Sequence, residues 1–184
     1  DEDAGPEKHT AEVGRDQAEP TAAECRRCFW PKAACEQRLQ QDIDLELTNI
    51  RGYSPKVKPE NIVIIGARSV DPGERQLIKE RGIRVYSMHE IDKMGMNAVI
   101  EDAIHYLKEE RKTDAVHLSL DLDGIDPIYT PGVGTPVPGG ISYRESHLAM
   151  EMLFDANIVT SAEFVEVNPI LDEKNRTADV AVAL

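Results

Sequence analysis

One short segment constrains the fold more than any other: residues 121–127 read Asp-Leu-Asp-Gly-Ile-Asp-Pro. The residues before it, 115–120, are mostly apolar and are typical of a buried parallel strand. The residues after it, 130–140, are too rich in glycine and proline for a helix or strand. The alternation of an extended chain directs Asp121 and Asp123 to the same side. Open α/β sheets bind ligands at such strand ends, and paired carboxylates suit a divalent cation such as manganese or magnesium.

The Asp-x-Asp pair has a second interpretation. Aspartates are common in turns after strands, because they cap helices and tolerate turn geometry. On the pair alone, we favour the turn. The longer sequence changes that balance, because three further motifs follow: Gly-Thr-Pro-Val at 134–137, Gly-Gly-Ile-Ser-Tyr-Arg-Glu at 139–145 and Glu-Phe-Val-Glu-Val-Asn-Pro at 163–169.

In this order, the motifs resemble the C-terminal half of an arginase of the bacterial type, within the ureohydrolase family. The resemblance extends from about Leu47 to Leu184 without an evident gap. It implies that residues 47–184 are the C-terminal half of an arginase-like α/β domain. Residues 1–46 do not share the resemblance and are predicted to be an atypical, disordered N-terminal segment, because they are polar and contain few apolar residues until Cys25.

Strand and helix signals alternate along the resembling part. Apolar runs predict strands at 61–66, 83–86, 115–120 and 162–167. Apolar stripes and stop signals predict helices at 72–81, at 96–112, from 144 onward and from 172 onward. We expect turns at 88–92 and 160–161. This order is typical of a three-layer α/β/α fold with a mainly parallel sheet, here a partial arginase-like fold.

Arg68 and His117 are polar residues near the predicted site, and for both we favour a structural role over a functional one. Arg68 follows the strand at 61–66. A structural salt bridge is the favoured interpretation, and a cation that faces the site or a subunit interface is the alternative. His117 points away from Leu118 and could line the site, but we expect a core histidine.

The N-terminal segment offers weak signals of its own. Cys25 and Cys28 form a Cys-x-x-Cys pair with Cys35 and His9 nearby, but a zinc site would need a second close pair. In arginases an Asp-Ala-His-x-Asp motif upstream supplies three metal ligands, and it would fall near residues 15–19, where no histidine stands. With a second upstream motif also missing, four of six expected ligands are absent. One hypothesis is an out-of-frame or rearranged reading of the gene.

Bulk properties exclude some classes of partner. The chain has 184 residues, enough for one domain with a core, and a net charge of −13. This charge argues against nucleic acid and anionic membranes as partners. No apolar run could span a bilayer and no signal-peptide pattern begins the chain, so we expect a cytoplasmic protein. The odd cysteine count argues against a disulfide framework.

The resemblance also implies a set of site residues. Asp121 would bridge two manganese ions and Asp123 would bind one of them. Glu166 would pair with the substrate guanidinium, and Thr135 would support that glutamate in the substrate site. Arg144 and Glu145 would lie at a subunit contact of a trimer or hexamer, although an ordinary ion pair on a helix is as good an interpretation. No residue of this chain is assigned as a catalytic acid or base.

The implied reaction is the manganese-dependent hydrolysis of L-arginine to ornithine and urea by a metal-bridging hydroxide. Agmatinases and other ureohydrolases share the aspartate motif, so arginine as the substrate is inferred from the family. A non-catalytic fragment is the competing hypothesis, because losing several ligands normally abolishes a two-metal site. We therefore expect the chain to resemble an arginase and to be inactive alone.

Overall fold

The computed structural model describes residues 57–184. The predictions made for residues 1–46, including the zinc site and the disordered segment, lie outside this range. The described part opens with a 3₁₀ turn, Pro59–Asn61, and strand β1, Val63–Ala67. Helix α1, Pro72–Arg81, then leads to strand β2, Arg84–Ser87, which pairs in parallel with β1.

Local sequence signals set the ends of helix α1. Asp71 accepts a hydrogen bond from the backbone N–H of Glu74 at 2.8 Å, and the Glu74 carboxylate accepts one from the N–H of Asp71 at 2.9 Å. This reciprocal cap satisfies donors that the first turn leaves unpaired. At the other end Gly82 adopts a left-handed conformation, with φ of +64°. The predicted helix at 72–81 is confirmed.

The predicted turn at 88–92 is wrong. Helix α2, Met88–Met94, occupies this position, because the backbone N–H of Ser87 donates to the Glu90 carboxylate at 2.9 Å and caps the first turn. Ile91 then buries its side chain in the core, at 1% exposure. Helix α3, Met96–His105, follows and continues as a π-helical segment, Tyr106–Glu110.

The second half of the described chain repeats the strand–helix–strand pattern. Strand β3, Val116–Asp121, ends in a 3₁₀ turn, Leu122–Gly124, and a long loop leads to helix α4, Tyr143–Ala156. Strand β4, Val159–Val165, pairs in parallel with β3. Helix α5, Arg176–Ala183, closes the described part.

Strand β4 corrects two predictions. Residues Thr160 and Ser161 are not a turn, because Ser161 pairs with His117 within the parallel ladder. The strand also ends at Val165, two positions before the predicted end.

The final helix starts at Arg176, later than predicted, since Asp172 caps it from a preceding turn by accepting the N–H of Thr177 at 3.0 Å.

The parallel α/β architecture is confirmed, and its sheet is interrupted. Every strand pairing within residues 57–184 is parallel, but β1 pairs with β2 and β3 pairs with β4 in two separate two-stranded sheets. Helices α3 and α4 pack against each other beside them. The main core combines these elements, and its buried members are Tyr86, Ile91, Met96, Val99, Ile100, Ala103 and Ala149.

His117 is not a core histidine. Its side chain is 53% exposed, Nδ1 lies 2.8 Å from the Ser161 hydroxyl, and Nε2 lies 3.8 Å from the Glu163 carboxylate. His117 is the exposed residue of strand β3. Across residues 57–184, the helices are too short or too polar for any of them to cross a bilayer.

Candidate active site

The aspartate pair lies where strand β3 ends and the chain turns. Asp121 is the last residue of the strand, and its Oδ1 accepts a hydrogen bond from the backbone N–H of Asp123 at 2.8 Å. Leu122 between them is fully buried in a second apolar cluster with Ile125 and Val133. Burial of Leu122 therefore anchors the turn and fixes the backbone that carries both carboxylates.

Asp123 is the more deeply buried of the two, at 3% exposure. Its Oδ2 accepts a hydrogen bond from the Thr135 hydroxyl at 2.8 Å. Its Oδ1 is buried and receives no hydrogen bond from any described residue. A buried carboxylate oxygen without a donor is costly, so this atom marks a position where a cation would be stabilised.

Glu166 follows β4 directly, and its backbone has φ of +67°. This left-handed conformation is unfavourable for a residue other than glycine and occurs often at functional sites. The side chain runs past Gly134, where a Cβ atom would lie 3.9 Å from Glu166 Oε2. Parallel strands β3 and β4 end at the same edge, which brings Glu166 to the side of the sheet that carries Asp121.

The three carboxylates interact electrostatically. Burial raises the pKa of Asp121 to about 7, and the charges of Asp123 and Glu166 add to the increase, while the N–H of Asp123 and the charge of Arg68 oppose it. Burial also raises the pKa of Asp123, opposed by the Thr135 hydrogen bond and reinforced by Glu166. The negative charge of each carboxylate makes ionisation of the others less favourable. A bound divalent cation offsets this repulsion and stabilises the ionised forms.

Arg68 joins the end of β1 to the site. Its guanidinium donates to the backbone carbonyls of Asp123 at 2.5 Å and Gly124 at 3.2 Å, and to that of Val137 at 2.8 Å. These bonds hold two loops through their main chains, so Arg68 has a structural role at the site. The location of Arg68 near the site could be predicted from the sequence, because Arg68 follows a parallel strand whose carboxyl end lies at the same edge as Asp121.

Asp126 fixes the glycine-rich loop. Its Oδ2 accepts the N–H groups of Gly139 at 2.7 Å and Gly140 at 3.1 Å, while Oδ1 accepts that of Ile128 at 3.0 Å. Backbone hydrogen bonds, that of Ile128 first, hold the pKa of Asp126 below its ordinary value against the effect of burial. Asp126 therefore has a structural role, because its carboxylate holds the loop through backbone N–H groups.

Two other predicted site residues occupy different surroundings. The Thr135 hydroxyl donates to Asp123 Oδ2, and its expected support of Glu166 stays a prediction. Glu145 accepts the N–H of Ser142 at 2.8 Å in the cap of helix α4. Arg144 is exposed, and no ion pair joins it to Glu145 within residues 57–184. Neighbours in a helix point in different directions, which explains the missing pair.

The residues present fit part of a metal site. Hard oxygen donors and an unpaired buried oxygen suit manganese or magnesium. Within residues 57–184 no group of three or more His, Cys, Asp or Glu side chains has the geometry to hold a metal ion. The site is thus consistent with two carboxylate ligands that need further ligands from elsewhere.

Comparison with known proteins decides the family. The sequence model of the arginase family matches residues 40–184. The chain belongs to the arginase family. The arginase of Bacillus caldovelox is 68% identical over 138 residues, which are 75% of this chain and 46% of that protein. The crystal structure of arginase from Bacillus subtilis superposes with a TM-score of 0.73 at 67% identity, over 76% of this chain and 48% of that one.

The family resemblance extends beyond arginases. A hypothetical agmatinase from Burkholderia thailandensis superposes with a TM-score of 0.58 at 27% identity, over 68% of this chain and 36% of that one. This arginase-family chain spans about half the length of the curated relatives it matches. The similarity therefore confirms the predicted family and fold, and it covers the strands that carry Asp121 and Glu166.

Proposed function

We propose that this chain supplies the C-terminal half of an arginase-type active site, which hydrolyses L-arginine to ornithine and urea with two manganese ions. One observation carries the proposal: Asp121 at the end of β3 pairs with Val165, the residue before Glu166, and Asp123 Oδ1 has no donor among the described residues. Membership of the arginase family gives this cluster its chemistry.

Asp121 and Asp123 would hold the metal ions. Manganese, when bound, lowers the pKa of a water molecule toward neutrality, so that the water can attack an unreactive guanidinium carbon. Several carboxylates are needed to offset the repulsion between two dications. Thr135 would act through Asp123. The Thr135 hydroxyl donates a hydrogen bond to Oδ2 of Asp123, so Oδ1 of the same carboxylate would face the cation. Such hydrogen bonds orient a ligating carboxylate.

Glu166 would bind the substrate. A carboxylate and a planar guanidinium form a charge-assisted pair that can be bidentate, which both orients and selects the substrate. The left-handed backbone of Glu166 turns the chain at the end of β4 and brings the side chain past Gly134. A guanidinium held there would lie beside the carboxylates of Asp121 and Asp123, whose electrostatic interaction with Glu166 supports this placement.

The resemblance to arginases implies an oligomeric state and a cellular location for the protein. A trimer or hexamer in the cytoplasm remains a prediction, with Arg144 as the exposed residue available for a subunit contact. Glu145 would contribute indirectly, since its carboxylate is used to cap helix α4 and thereby fixes the backbone that carries Arg144.

Two alternatives stay open. An agmatinase would use the same aspartates on a guanidino substrate without the carboxylate of arginine. The 67% identity to an arginase structure, against 27% to an agmatinase, favours arginine. The chain alone would be a non-catalytic fragment, because its described residues supply two of the carboxylate ligands and no complete metal cluster.

A chimera tests the proposal. Residues 47–184 would replace the matching part of the Bacillus subtilis arginase, and urea release from L-arginine and from agmatine would be measured after manganese loading. We expect urea from L-arginine, a strong preference over agmatine, and loss of activity in Asp121→Asn. The chain by itself, loaded in the same way, should release no urea.

The control is Asp114→Asn, which removes an exposed carboxylate outside the cluster. It should leave the chimera's activity unchanged. A folded chimera without activity, or one that prefers agmatine, would contradict the assignment of this half to an arginase. Urea release by the chain alone that Asp121→Ala abolishes would show that other residues complete the site, contrary to the proposal.

A further inference from the structure

One face of strands β3 and β4 carries polar contacts that the proposed reaction does not use. The Ser119 hydroxyl donates to Glu163 Oε1 at 3.0 Å, and the same oxygen lies 3.8 Å from His117 Nε2. His117 Nδ1 in turn lies 2.8 Å from the Ser161 hydroxyl. Asp121 follows Ser119 by two residues and therefore lies on the same face. These contacts thus form a cross-strand network that continues toward the candidate site.

The pairing of the two strands is irregular just before this network. Val116 pairs with Val159, whereas the next residue of β3, His117, pairs with Ser161. Strand β4 therefore contains one extra residue, Thr160, in the manner of a β-bulge. Every later pair keeps this shifted register up to the carboxyl end of β3. The bulge thus decides which residue of β4 lies beside the aspartate at that end.

A ladder without the bulge would change the candidate site. Asp121 would then pair with Phe164 rather than with Val165, and Glu166 would move by one residue, about 3.3 Å along the strand. A slip of one residue also moves each side chain of β4 to the other face. Glu163 would then lie on the apolar face of β3. The position of Glu166 relative to Asp121 therefore depends on this register.

Burial of apolar side chains specifies the register weakly in the described part of the chain. Ala162 and Phe164 are the residues of β4 that pair with Leu118 and Leu120. Ala162 is exposed, and Phe164 is 42% exposed. A register is specified strongly where one face of a strand is buried and weakly where it is not. The polar contacts of Glu163 are thus left to distinguish the two registers.

We propose that Glu163 is a positioning residue. Its contacts with Ser119 and His117 select the bulged register and thereby set Glu166 beside Asp121. Favourable pairs between opposite residues stabilise one strand pairing over its alternatives. Glu163 acts through the backbone of β4 rather than on the substrate. The role of Glu166 in this inference rests on the proposed function, whereas the selection of the register does not.

The first test follows the register in the whole chain, without metal or substrate. Glu163→Leu removes both contacts of the carboxylate. Nuclear Overhauser effects between backbone protons of Asp121 and Val165 report the bulged pairing, and we expect Glu163→Leu to lose them. Amide hydrogen exchange in β3 and β4 should accelerate by about tenfold. Glu163→Gln keeps an acceptor for Ser119 and should retain the pairing.

A second variant covers the case in which Glu163→Leu does not fold. Ser119→Ala removes only the donor to Glu163. It should accelerate exchange in β3 and β4 by about threefold or more, as expected for the loss of one hydrogen bond to a charged group. Unchanged exchange in a folded Ser119→Ala chain would contradict the proposal.

The next test measures kcat and KM in the chimera with the Bacillus subtilis arginase. A purely structural loss would reduce the folded fraction, which lowers kcat per enzyme and leaves KM unchanged. A displaced Glu166 would instead weaken the pairing with the guanidinium, so we expect Glu163→Leu to raise KM for L-arginine by about tenfold. Glu163→Gln should stay within about twofold of the unmodified chimera, because it loses only an exposed ion pair.

The matched control is Glu101→Leu, which makes the same substitution at an exposed carboxylate of α3. It should change neither KM nor the pairing of β3 with β4. An equal effect of Glu101→Leu would mean that the loss of any surface carboxylate disturbs the protein, and it would contradict a specific role for Glu163.

Three further outcomes would overturn the proposal. A folded Glu163→Leu chain could keep the pairing of Asp121 with Val165. Glu163→Gln could lose that pairing as completely as Glu163→Leu. The pairing could be lost while KM stays unchanged in an active chimera, so that Glu166 would not depend on the register. An inactive unmodified chimera would contradict the proposed function instead, and the nuclear Overhauser effects would still decide the register.

Discussion

The guanidinium of Arg68 lies 2.5 Å from the backbone carbonyl oxygen of Asp123, across a sequence separation of 55 residues. The same side chain also reaches the carbonyl of Val137 in the glycine-rich loop. Arg68 thereby links the end of β1 to both segments that shape the carboxylate cluster. Burial lowers the pKa of Arg68, and the charges of Asp123, Asp126 and Asp121 oppose that effect.

The first prediction concerns this link. Arg68→Lys keeps the charge but loses the planar fork that donates to several carbonyls at once. We expect the free energy of unfolding to fall by about 1–3 kcal/mol, the range for hydrogen bonds made by charged groups. Urea denaturation monitored by circular dichroism measures the change. Arg75→Lys, at an exposed position of α1, is the control and should cost little. Equal effects of the two variants would contradict a positioning role for Arg68.

The second prediction is a pH dependence at Asp126. Its native pKa is held below the ordinary value, so the charged form stabilises the folded chain above the unfolded pKa of about 4. That stabilisation is lost as the pH falls through the lower native pKa. Asp126→Asn should therefore destabilise the protein by about 1–3 kcal/mol near neutral pH, because the amide cannot accept all three N–H groups. The difference from the unmodified chain should shrink below about pH 4.

The control for this prediction is Asp114→Asn, which removes the charge of an exposed carboxylate. Stability would be measured by denaturant titration at a series of pH values for all three proteins. A constant difference between Asp126→Asn and the unmodified chain down to pH 2 would show that ionisation of Asp126 does not hold the loop.

Much of the fold was predictable because its signals are local. The helix at 72–81 has an aspartate cap, a proline at its first position and a glycine at its end, and each signal acts on the adjacent backbone. The strand before Asp121 was predictable from its apolar run. Helix α2 was missed because its short sequence shows no clear stripe, although the Ser87–Glu90 cap is a local signal, and burial of Ile91 against neighbouring elements adds to its stability.

The site was predictable at the level of residue type and less so at the level of contacts. The motif placed Asp121, Asp123 and Glu166 at one edge of the sheet, but the partner of Thr135 depends on how the glycine-rich loop folds back over the strand end. That loop is fixed by the long-range contacts of Arg68 and Asp126, which no local pattern encodes. The interruption of the sheet likewise depends on strand order, which periodicity does not reveal.

The third prediction concerns the Thr135 hydroxyl. Thr135→Val keeps the shape of the side chain but removes the donor to Asp123 Oδ2. In the chimera with the Bacillus subtilis arginase, we expect manganese affinity to fall by about 10–100-fold, as is usual when the partner of a ligating carboxylate is lost. Electron paramagnetic resonance of free Mn²⁺ measures the affinity. Thr160→Val, at an exposed position of β4, is the control, and a similar loss there would count against the specific role of Thr135.

The last prediction concerns the contact between the glycine-rich loop and the segment after Glu166. Gly132 accepts the N–H of Asn168 at 2.8 Å and donates to the Thr177 hydroxyl at 2.7 Å, in a position where a Cβ atom would lie 2.3 Å from Asp172 Cβ and 2.6 Å from its Cα. A backbone atom cannot yield as a flexible side chain can. Gly132→Ala should therefore lower the free energy of unfolding by about 1–3 kcal/mol or more.

Gly124→Ala is the matched control, because a Cβ atom there would meet no atom within 4 Å and the backbone φ is not positive. Both variants lie in loops that shape the candidate site, so the comparison isolates the close approach at Gly132. Thermal unfolding of the two proteins measures the difference. If Gly132→Ala is as stable as Gly124→Ala, the loop does not pack tightly against Asp172, and the position of Glu166 must be set by strand β4 alone.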